Sequence, residues 1–486
     1  MRSQEIHWQP DPELSIPLYQ QIEQYIKDKI MQGEWTKGMR LPSQRALAVS
    51  FKVNRSTIIA ALDELRAGGF IEGNYGGGTI VSRAGWNGMP VTVPDWEDYA
   101  ESGTHYPNLP EVQEINDSEF STTMNRLGTG ELSPELLPNA EFSSIYAELA
   151  RRQAHHLGYL EPQGSPGLRD AISTHLATQG ISASPDSILI VSGSIQAMQL
   201  IAIGLLPRNA SILVEKPSYL YSIHPFQSAG VRMIGMPMDH EGLRADRVQH
   251  YVQQYQPSLL YTIPSFQNPT GTVMSAARRS QLMNTAQNTG LPILEDSAYS
   301  ELWFDTMPPP PLKALDPGGY VLHLGTLSKT VSPGLRIGWV TGPLPVIKRL
   351  ADLKMQTDYG ASSLAQDAAE LWLREGYHDV HLHRIRLALQ HRRDYVLELL
   401  QRHFAGLAEW NVPQGGFYMW IRLSSGIRSD KLFRRALAER ILINPGNIYD
   451  RMEQDYIRLS YAFASLSELQ VGIVTLAGIM RELAVS

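Results

Sequence analysis

Between residues 118 and 486, short apolar runs alternate with segments of helical periodicity, and this alternation leaves few folds open. Continuous apolar runs are typical of strands buried on both faces of a parallel sheet. The runs lie at 188–191, 211–214, 259–263, 293–294 and 321–324, and helical periodicity is clearest at 195–206 and 276–288. The pattern predicts a large doubly wound α/β sheet.

Polar residues follow several of these predicted strands at the point where each strand ends. Ligands of open α/β sheets bind beyond the carboxyl ends of the strands, and free N–H groups at a helix start favour a phosphate. The residues are Ser192, Gly193, Ser194, Ile195 and Gln196 after the first run, Asp296 and Tyr299 after the fourth, and Thr326, Ser328, Lys329 and Arg336 after the fifth. A phosphate cradle, an amine, a carboxylate and a phenol together fit pyridoxal phosphate, whose aldehyde needs an amine and whose pyridinium nitrogen needs an acid partner.

Six segments carry a more specific resemblance. PSYLYS, SFQNPTG, LEDSAYSEL, GTLSKTVSPGLRIGW, QGGFYMWIRL and DYIRLSYA resemble fold-type I aminotransferases over about residues 125–480. The resemblance implies that Lys329 forms the internal aldimine and that Asp296 keeps the ring nitrogen protonated. It also implies that Asn268 and Tyr299 hydrogen-bond the phenolate oxygen of the ring and that Tyr219 stacks on the ring face. Tyr159 would reach the phosphate bound by the partner subunit, and Arg458 would bind the carboxylate of a substrate or effector. The residues implied at the phosphate of the same chain are Ser194, Ile195, Gln196, Thr326, Ser328 and Arg336.

The N-terminal residues predict short helices followed by a hairpin. Leu18, Ile22, Ile26 and Ile30 repeat every four residues after Pro17, which indicates a helix with one apolar stripe. Pro42 and Ser43 open a second helix and a third covers residues 57–67, followed by two short strands across a glycine-rich turn. Two helices joined by a tight turn and followed by a hairpin make a winged helix-turn-helix.

The basic residues of this region coincide with the turn and the start of the third helix. No acidic residue lies between Trp35 and Leu62, where Lys and Arg supply five positive charges. The stretch LPSQRALAVSFKVNRSTIIAALDELRAGGFI and its glycine-rich wing resemble GntR-family bacterial regulators over about residues 14–82. The resemblance implies that Arg45, Asn54, Arg55, Ser56, Thr57, Tyr75 and Gly76 contact DNA. At Ile59 a base-contacting arginine of some family members is absent, so their operator sequences cannot be transferred.

Charge and composition define the remaining organisation. Residues 84–120 carry eight acidic residues and four prolines without any Lys or Arg, which predicts an acidic, proline-containing linker over residues 83–119. We therefore predict a DNA-binding domain over 1–82 and an aminotransferase-like, dimerising effector domain over 120–486, with a small C-terminal α+β subdomain from about residue 380. The 486 residues carry a net charge of −7 and no cysteine, and the first twenty contain no apolar run typical of a signal peptide. We expect a soluble cytoplasmic protein without membrane contact.

Several residues also have a purely structural interpretation. Lys329 could be a surface lysine, Tyr219 a core residue and Ser328 a helix cap. Arg458 could be a structural ion-pair partner, and the basic head residues could merely solvate a small helical domain. His378, His381 and His383 raise the question of a metal, but on an Arg-rich helix we expect them to be solvated or capping, and we predict no metal.

A GntR-type head joined to an aminotransferase-like body is the architecture of MocR-type transcriptional regulators. This resemblance implies a head-to-tail homodimer that binds operator DNA and senses an amino compound or pyridoxal phosphate through aldimine chemistry at Lys329, with RNA polymerase left open as a further partner. The alternative is a working aminotransferase with an accessory DNA-binding domain. An inert dimerisation scaffold conflicts with the complete set of polar residues. The effector, the operator and the direction of regulation stay open at this level.

Overall fold

A computed structural model describes residues 8–74, 78–82, 96–103, 107–152 and 158–485, and the chain divides into two compact units, residues 1–104 and 105–486. The boundary falls inside the segment predicted as the linker. Tyr75 and Gly76, predicted at the tip of the wing, lie outside the described residues.

The first unit is the predicted winged helix-turn-helix. Ile22 and Ile26 of the apolar stripe are fully buried, and the Ser43 hydroxyl caps the second helix by accepting from the Ala46 N–H at 3.2 Å. The two strands after the third helix pair antiparallel, with Ile71 opposite a valine at position 81. The elements are α1 (Leu18–Met31), α2 (Gln44–Phe51), α3 (Arg55–Ala67), β1 (Ile71–Asn74), β2 (Gly78–Val81) and α4 (Trp96–Glu101).

The second unit is the predicted α/β body. In chain order it contains α5 (Pro110–Glu119), β3 (Asn125–Arg126), α6 (Asn139–Arg152), α7 (Pro166–Thr178), β4 (Ile188–Val191), α8 (Ser194–Gly204), β5 (Ser211–Lys216), β6 (Arg232–Asp239), β7 (Gly242–Leu243), α9 (Ala245–Tyr255), β8 (Leu259–Thr262), α10 (Ala276–Thr289), β9 (Ile293–Asp296), β10 (Val321–Thr326) and β11 (Gly338–Thr341). It continues with α11 (Leu344–Thr357), α12 (Ser363–Arg374), α13 (Tyr377–His403), β12 (Ala408–Trp410), β13 (Tyr418–Leu423), α14 (Ser429–Ala438), β14 (Ile441–Leu442), β15 (Asn444–Pro445), β16 (Tyr456–Ser460) and α15 (Leu466–Val485).

Within the described residues, one eight-stranded sheet forms the large lobe, in the order β4-β11-β10-β9-β8-β5-β6-β7. β5, β6, β8, β9 and β10 are parallel, and β11 runs antiparallel to both of its neighbours, β4 and β10. The carboxyl ends of β4, β9 and β10 therefore lie at one edge of the sheet. The residues that follow these strands are thereby brought together, as the sequence predicts.

The small lobe is built from both ends of the body, which corrects the predicted subdomain. It contains the antiparallel sheet β12-β13-β16-β15 and the C-terminal helices, but β3 also pairs with β14, and Val112 and Ile115 of α5 pack into the same core as Ile385 and Ile473. Residues 110–119 are therefore not linker. They form an amphipathic helix that begins at Pro110 and buries its apolar side.

Candidate functional site

A cavity of about 340 Å³ lies at the sheet edge where the predicted cofactor residues converge. This volume is at the lower end of the range of small-molecule sites. The predicted residues that line it are Ser194, Ile195, Tyr219, Asn268, Asp296, Tyr299, Ser328, Lys329, Arg336 and Arg458. These residues are dispersed over more than half of the chain, so their convergence is a property of the fold.

One end of the cavity is suited to an anion. Gly193 precedes α8 with φ +91° and ψ +165°, and no side chain caps the helix, which leaves its first N–H groups available to a phosphate. Arg336, in a left-handed conformation with φ +53°, donates from Nη2 to the Ser192 carbonyl oxygen at 2.7 Å. A Cβ on Gly193 would lie 2.5 Å from this nitrogen, so the turn and the guanidinium fit closely together.

Two predicted phosphate ligands, Gln196 and Thr326, do not line the cavity. The Gln196 side chain accepts from the Ser192 N–H at 2.7 Å and donates to the Asp358 carboxylate, and it therefore fixes the turn before α8. The Thr326 hydroxyl accepts from the Ser328 N–H at 3.1 Å and contacts its hydroxyl at 3.0 Å. Both residues position the anion-binding end without facing it, and Ser328 itself faces the cavity.

The centre of the cavity pairs an amine with a buried carboxyl. Lys329 Nζ donates to the Gly130 carbonyl oxygen at 2.8 Å. Asp296 accepts from the Tyr261 hydroxyl at 2.9 Å and from the Ala298 N–H at 3.0 Å. Burial raises the pKa of Asp296, while these two hydrogen bonds and the charge of Lys329 act in the opposite direction. A cationic pyridinium nitrogen at this carboxyl would offset the cost of its burial, so this end also fits the cofactor.

Arg458 and a group of phenols form the far wall. The Arg458 side chain is 5% exposed and lies over the Tyr418 ring with its guanidinium carbon 3.9 Å from the ring centroid. It donates to the Asn268 side-chain oxygen at 2.8 Å and to the Gly128 carbonyl at 2.7 Å, but among the described residues its Nε has no partner. The Tyr299 hydroxyl lies 3.0 Å from that of Tyr418. The guanidinium is thus held in place with donor capacity left for a carboxylate.

Tyr219 closes the wall beside these phenols. Its backbone N–H donates to the Asn268 carbonyl oxygen at 3.1 Å, and burial raises the pKa of its hydroxyl to about 12. The phenol therefore stays neutral, as an uncharged stacking surface requires.

Of the predicted DNA-contacting residues, Asn54, Arg55, Ser56 and Thr57 lie at the start of α3, and Arg45 lies at the start of α2. Arg45, Asn54, Arg55 and Ser56 are exposed and Thr57 is half-buried. Asn54 stands at the N-cap position, but its side chain makes no capping hydrogen bond, so its amide is free for other contacts. Arg55 donates to the Gln44 side-chain oxygen at 3.0 Å, which connects α3 to α2.

Comparisons with known proteins match the two units separately and together. Residues 18–81 match the bacterial regulatory proteins of the gntR family, and residues 123–476 match the aminotransferases of class I and II. The uncharacterised HTH-type transcriptional regulator YisV of Bacillus subtilis is 50% identical over 480 residues, which is 99% of both chains. The chain belongs to the MocR-type transcriptional regulators.

Two further comparisons match this MocR-type regulator to another regulator and to an aminotransferase. The HTH-type transcriptional regulator NorG of Staphylococcus aureus is 33% identical over 88% of this chain and 96% of its own. The kynurenine aminotransferase of Pyrococcus horikoshii, solved in complex with PMP, has a TM-score of 0.74 and 30% identity over 80% of this chain and 98% of its own. The body of this regulator therefore has the aminotransferase fold. No helix in the described ranges is long and apolar enough to cross a membrane.

Tyr159 of this regulator does not reach its own cavity. Its side chain is 83% exposed, and its ring centroid lies 4.8 Å from that of Tyr359. Tyr159 is therefore not at the phosphate end of its own chain's cavity. Its predicted role in a partner subunit stays a prediction.

Sequence reasoning missed several residues that line the cavity. Tyr418 lies within the quoted segment QGGFYMWIRL, but nothing in that segment distinguishes it from a core aromatic residue. Other missed side chains come from the supposed linker, from the loop after Gly130 and from the small lobe, and these include Asn108, Val112, Ile115, Asn116, Glu119, Glu131, Asn444 and Tyr449. A stretch of acidic residues between two domains carries no local signal that it covers a ligand site.

The histidines of α13 are placed differently from the prediction. His378 and His381 are buried and only His383 of the three is exposed, so the first two are neither solvated nor capping. Burial lowers the pKa of His381 to about 4, with a further contribution from the nearby Arg384 charge. These side chains pack between the helices that cover the sheet.

His378 belongs to a buried cluster with His175 and Glu301. The Nε2 atoms of His378 and His175 lie 3.4 Å and 3.3 Å from Glu301 Oε1. Trp372 Nε1 donates to His378 Nδ1 at 3.0 Å, which leaves the proton of a neutral His378 on Nε2, facing the carboxylate. Metal-bound histidines usually donate from their second nitrogen, whereas this one accepts. The contacts therefore favour a hydrogen-bonded cluster around the Glu301 carboxylate over a metal site.

Proposed function

We propose that this MocR-type regulator binds pyridoxal phosphate in its body and uses it to sense an amino compound or pyridoxal phosphate itself. The observation that carries the proposal is the convergence of the Lys329 amine, the Asp296 carboxyl and the Gly193–Arg336 turn in one cavity of a chain that begins with a winged helix-turn-helix. Each of the three matches a different part of the cofactor: aldehyde, ring nitrogen and phosphate.

The chain's own residues would divide the work of holding the cofactor. Bound pyridoxal phosphate supplies an aldehyde that reacts reversibly with amines and a ring that withdraws electrons. Asp296 would keep a proton on the ring nitrogen, and the N–H groups of α8 with Ser328 and Arg336 would bind the phosphate. Asn268 and Tyr299, which line the same wall as Arg458, would orient the remaining ring oxygen.

Release of the Lys329 amine by a competing amine is the proposed signal. An effector can shift the head between two arrangements only by the difference in its affinity for them. The exposed Arg45 and Arg55, with Asn54, Ser56 and Thr57, would bind each operator half-site through phosphates and base edges.

A homodimer would complete the site. Tyr159, exposed and outside its own cavity, is available to reach the phosphate in a partner subunit. Contact with RNA polymerase and a cytoplasmic location stay predictions, and the effector, the target genes and the direction of regulation are not assigned.

A working aminotransferase with an accessory DNA-binding unit is the second candidate. It is favoured by the 30% identity to an aminotransferase solved with PMP and by the presence of the lysine at 329. Multiple turnovers with an amino donor and a keto acid at about 1 per second or faster would favour this candidate.

Replacing Lys329 by alanine tests the first candidate. We expect Lys329→Ala to lose the visible absorption of the bound cofactor, its borohydride-fixed label and any amine-dependent change in operator affinity. Lys348→Ala, at an exposed position of α11, is the matched control and should keep all three. Unchanged absorption and unchanged amine-dependent DNA binding in Lys329→Ala would refute the proposal.

A further inference from the structure

Helix α5 forms part of the cavity wall, although its sequence suggested a linker. Val112, Ile115, Asn116 and Glu119 line the cavity at positions that share one face of the helix. Val112 and Ile115 are buried, Glu119 is half-buried and Asn116 is exposed. Asn116 and Glu119 therefore lie toward the solvent-accessible side of the cavity, at the C-terminal end of α5.

This wall is acidic. Within α5, Glu111, Glu114, Asp117 and Glu119 supply four negative charges, and the helix contains no Lys or Arg. The C-terminal end of a helix carries a partial negative charge from its unpaired carbonyl groups, so Glu119 adds a full charge where the field is already negative. Glu131 lines the same cavity from the segment after Gly130.

Three cationic side chains also line the cavity, Lys329, Arg336 and Arg458. Bound pyridoxal phosphate would use the first two, which leaves Arg458 for a ligand carboxylate. Two side chains that line the cavity each contain a buried atom without a partner among the described residues, the Arg458 Nε donor and the Asn444 Oδ1 acceptor. Both side chains are more than nine-tenths buried, so they stand in the wall with hydrogen-bonding capacity that the described residues do not fill.

The Glu119 carboxylate has no ion-pair partner among the described residues, since the hydrogen bond that Arg126 donates to this residue ends on its backbone oxygen. Burial acts to lower the pKa of Arg458, but the charge of Glu119 is among the causes that raise it, so the two groups are within electrostatic reach although no ion pair joins them. A carboxylate without a direct cationic partner favours a ligand that brings one, because its charge loses hydration when the cavity fills. An incoming carboxylate would be attracted by Arg458 and repelled by Glu119, which fixes the direction in which the ligand lies.

We propose that the effector is an amino acid with a second cationic group in its side chain, bound by its carboxylate at Arg458 and by its distal ammonium at Glu119. This inference rests on the proposed function, since it assumes that the effector amine reacts in the cofactor cavity. Glu131, which lines the same cavity, supplies a further acceptor. Because α5 is the first helix of the body after the head, a ligand held by Glu119 acts on the segment that leads to the DNA-binding unit.

Three amino acids with the same number of carbon atoms, which differ at the end of the side chain, test the role of the distal group. L-Lysine carries a distal ammonium, L-norleucine a methyl group and L-2-aminoadipate a carboxylate. Their apparent Kd values are measured by the change in visible absorption of the full chain loaded with pyridoxal phosphate. We expect L-lysine to bind about fivefold more tightly than L-norleucine, as for a partly exposed ion pair, and L-2-aminoadipate to bind more weakly than either.

Variants of α5 test the residue directly. Glu119→Gln should remove the advantage of L-lysine over L-norleucine, and Glu119→Lys should make L-2-aminoadipate the tightest of the three. Glu114→Gln removes an equal charge from an exposed position of the same helix outside the cavity, and should keep the wild-type order. Its comparison with Glu119→Gln separates a direct interaction from the general field of the helix.

The possible failures are distinct. If all three amino acids change the spectrum with equal Kd, or if Glu114→Gln alters the order as much as Glu119→Gln, the distal recognition is overturned and the cofactor site stands. If the protein takes up no pyridoxal phosphate, or if no amine changes its spectrum, the proposed function itself fails and this inference fails with it.

Discussion

Replacing Gly193 by alanine tests whether the turn between β4 and α8 is built to hold an anion. Gly193 adopts φ +91° and ψ +165°, a conformation that is essentially restricted to glycine. An added Cβ would lie 2.5 Å from Arg336 Nη2 and 3.2 Å from its guanidinium carbon. Because the guanidinium ends a flexible side chain, we expect it to move away and to leave the Ser192 carbonyl.

Two separable effects follow from this substitution. The backbone strain should lower the free energy of unfolding by about 1–3 kcal/mol. Displacement of Arg336 removes a charged hydrogen-bond donor from the phosphate, worth about 1.5–3 kcal/mol, so the affinity for pyridoxal phosphate should fall roughly 10- to 100-fold.

The two effects are measured by denaturant unfolding and by titration of the visible absorption with pyridoxal phosphate. Gly290→Ala is the matched control, because Gly290 also has a positive φ, +71°, but follows α10 with no atom within 4 Å of the added Cβ. It should lose about 1–2 kcal/mol of stability and keep the wild-type cofactor affinity. Wild-type affinity in Gly193→Ala would refute the assignment of this turn to the phosphate.

Two further predictions concern the head and the interior of the body. Arg55→Ala should weaken operator binding and reduce the steepness of the plot of log affinity against log salt concentration by about 0.9 for each DNA phosphate that is no longer neutralised. The control Arg66→Ala, in the last turn of the same helix and paired with Asp63, should change neither the affinity nor this slope. Equal slopes in the two variants would contradict the prediction. Burial raises the pKa of Glu215 from 4.5 to about 7, so its contribution to stability is complete below pH 4.5 and disappears as the pH rises toward 7. Glu215→Gln should therefore flatten the pH profile of the free energy of unfolding by about 3 kcal/mol over this interval, and an identical profile in both proteins would contradict the assignment.

The sheet was predictable because its signal is local. Each predicted strand is a mainly apolar run, and β4 and β10 begin at the predicted residues, 188 and 321. Strands buried on both faces are rich in apolar residues, so the sequence marks where they lie. Their ends are marked less sharply, because β5, β9 and β10 each continue two residues past the predicted run into buried polar residues such as Glu215 and Asp296. Since the connection rules of open α/β sheets fix which ends meet, the cofactor-facing positions follow from the same runs.

Helix α5 could not be predicted in the same way. It has ten residues, and its two buried apolar side chains, Val112 and Ile115, are too few to establish a helical period. A helix of this length is marginal alone and depends on tertiary packing, which here comes from residues such as Ile385 and Ile473, far along the chain. Its proline and its four acidic residues are equally typical of a linker, so the local pattern favoured the wrong interpretation.

This difference has a consequence for function. The residues expected to hold the cofactor, such as Asp296 at the end of β9 and Lys329 just after β10, are fixed by topology. Those expected to face the effector, Glu119 and Arg458, lie on α5 and on β16 of the small lobe. Regulators that share this architecture can therefore keep one cofactor site while the residues that face the effector change, because those residues come from parts of the chain that the sheet does not constrain.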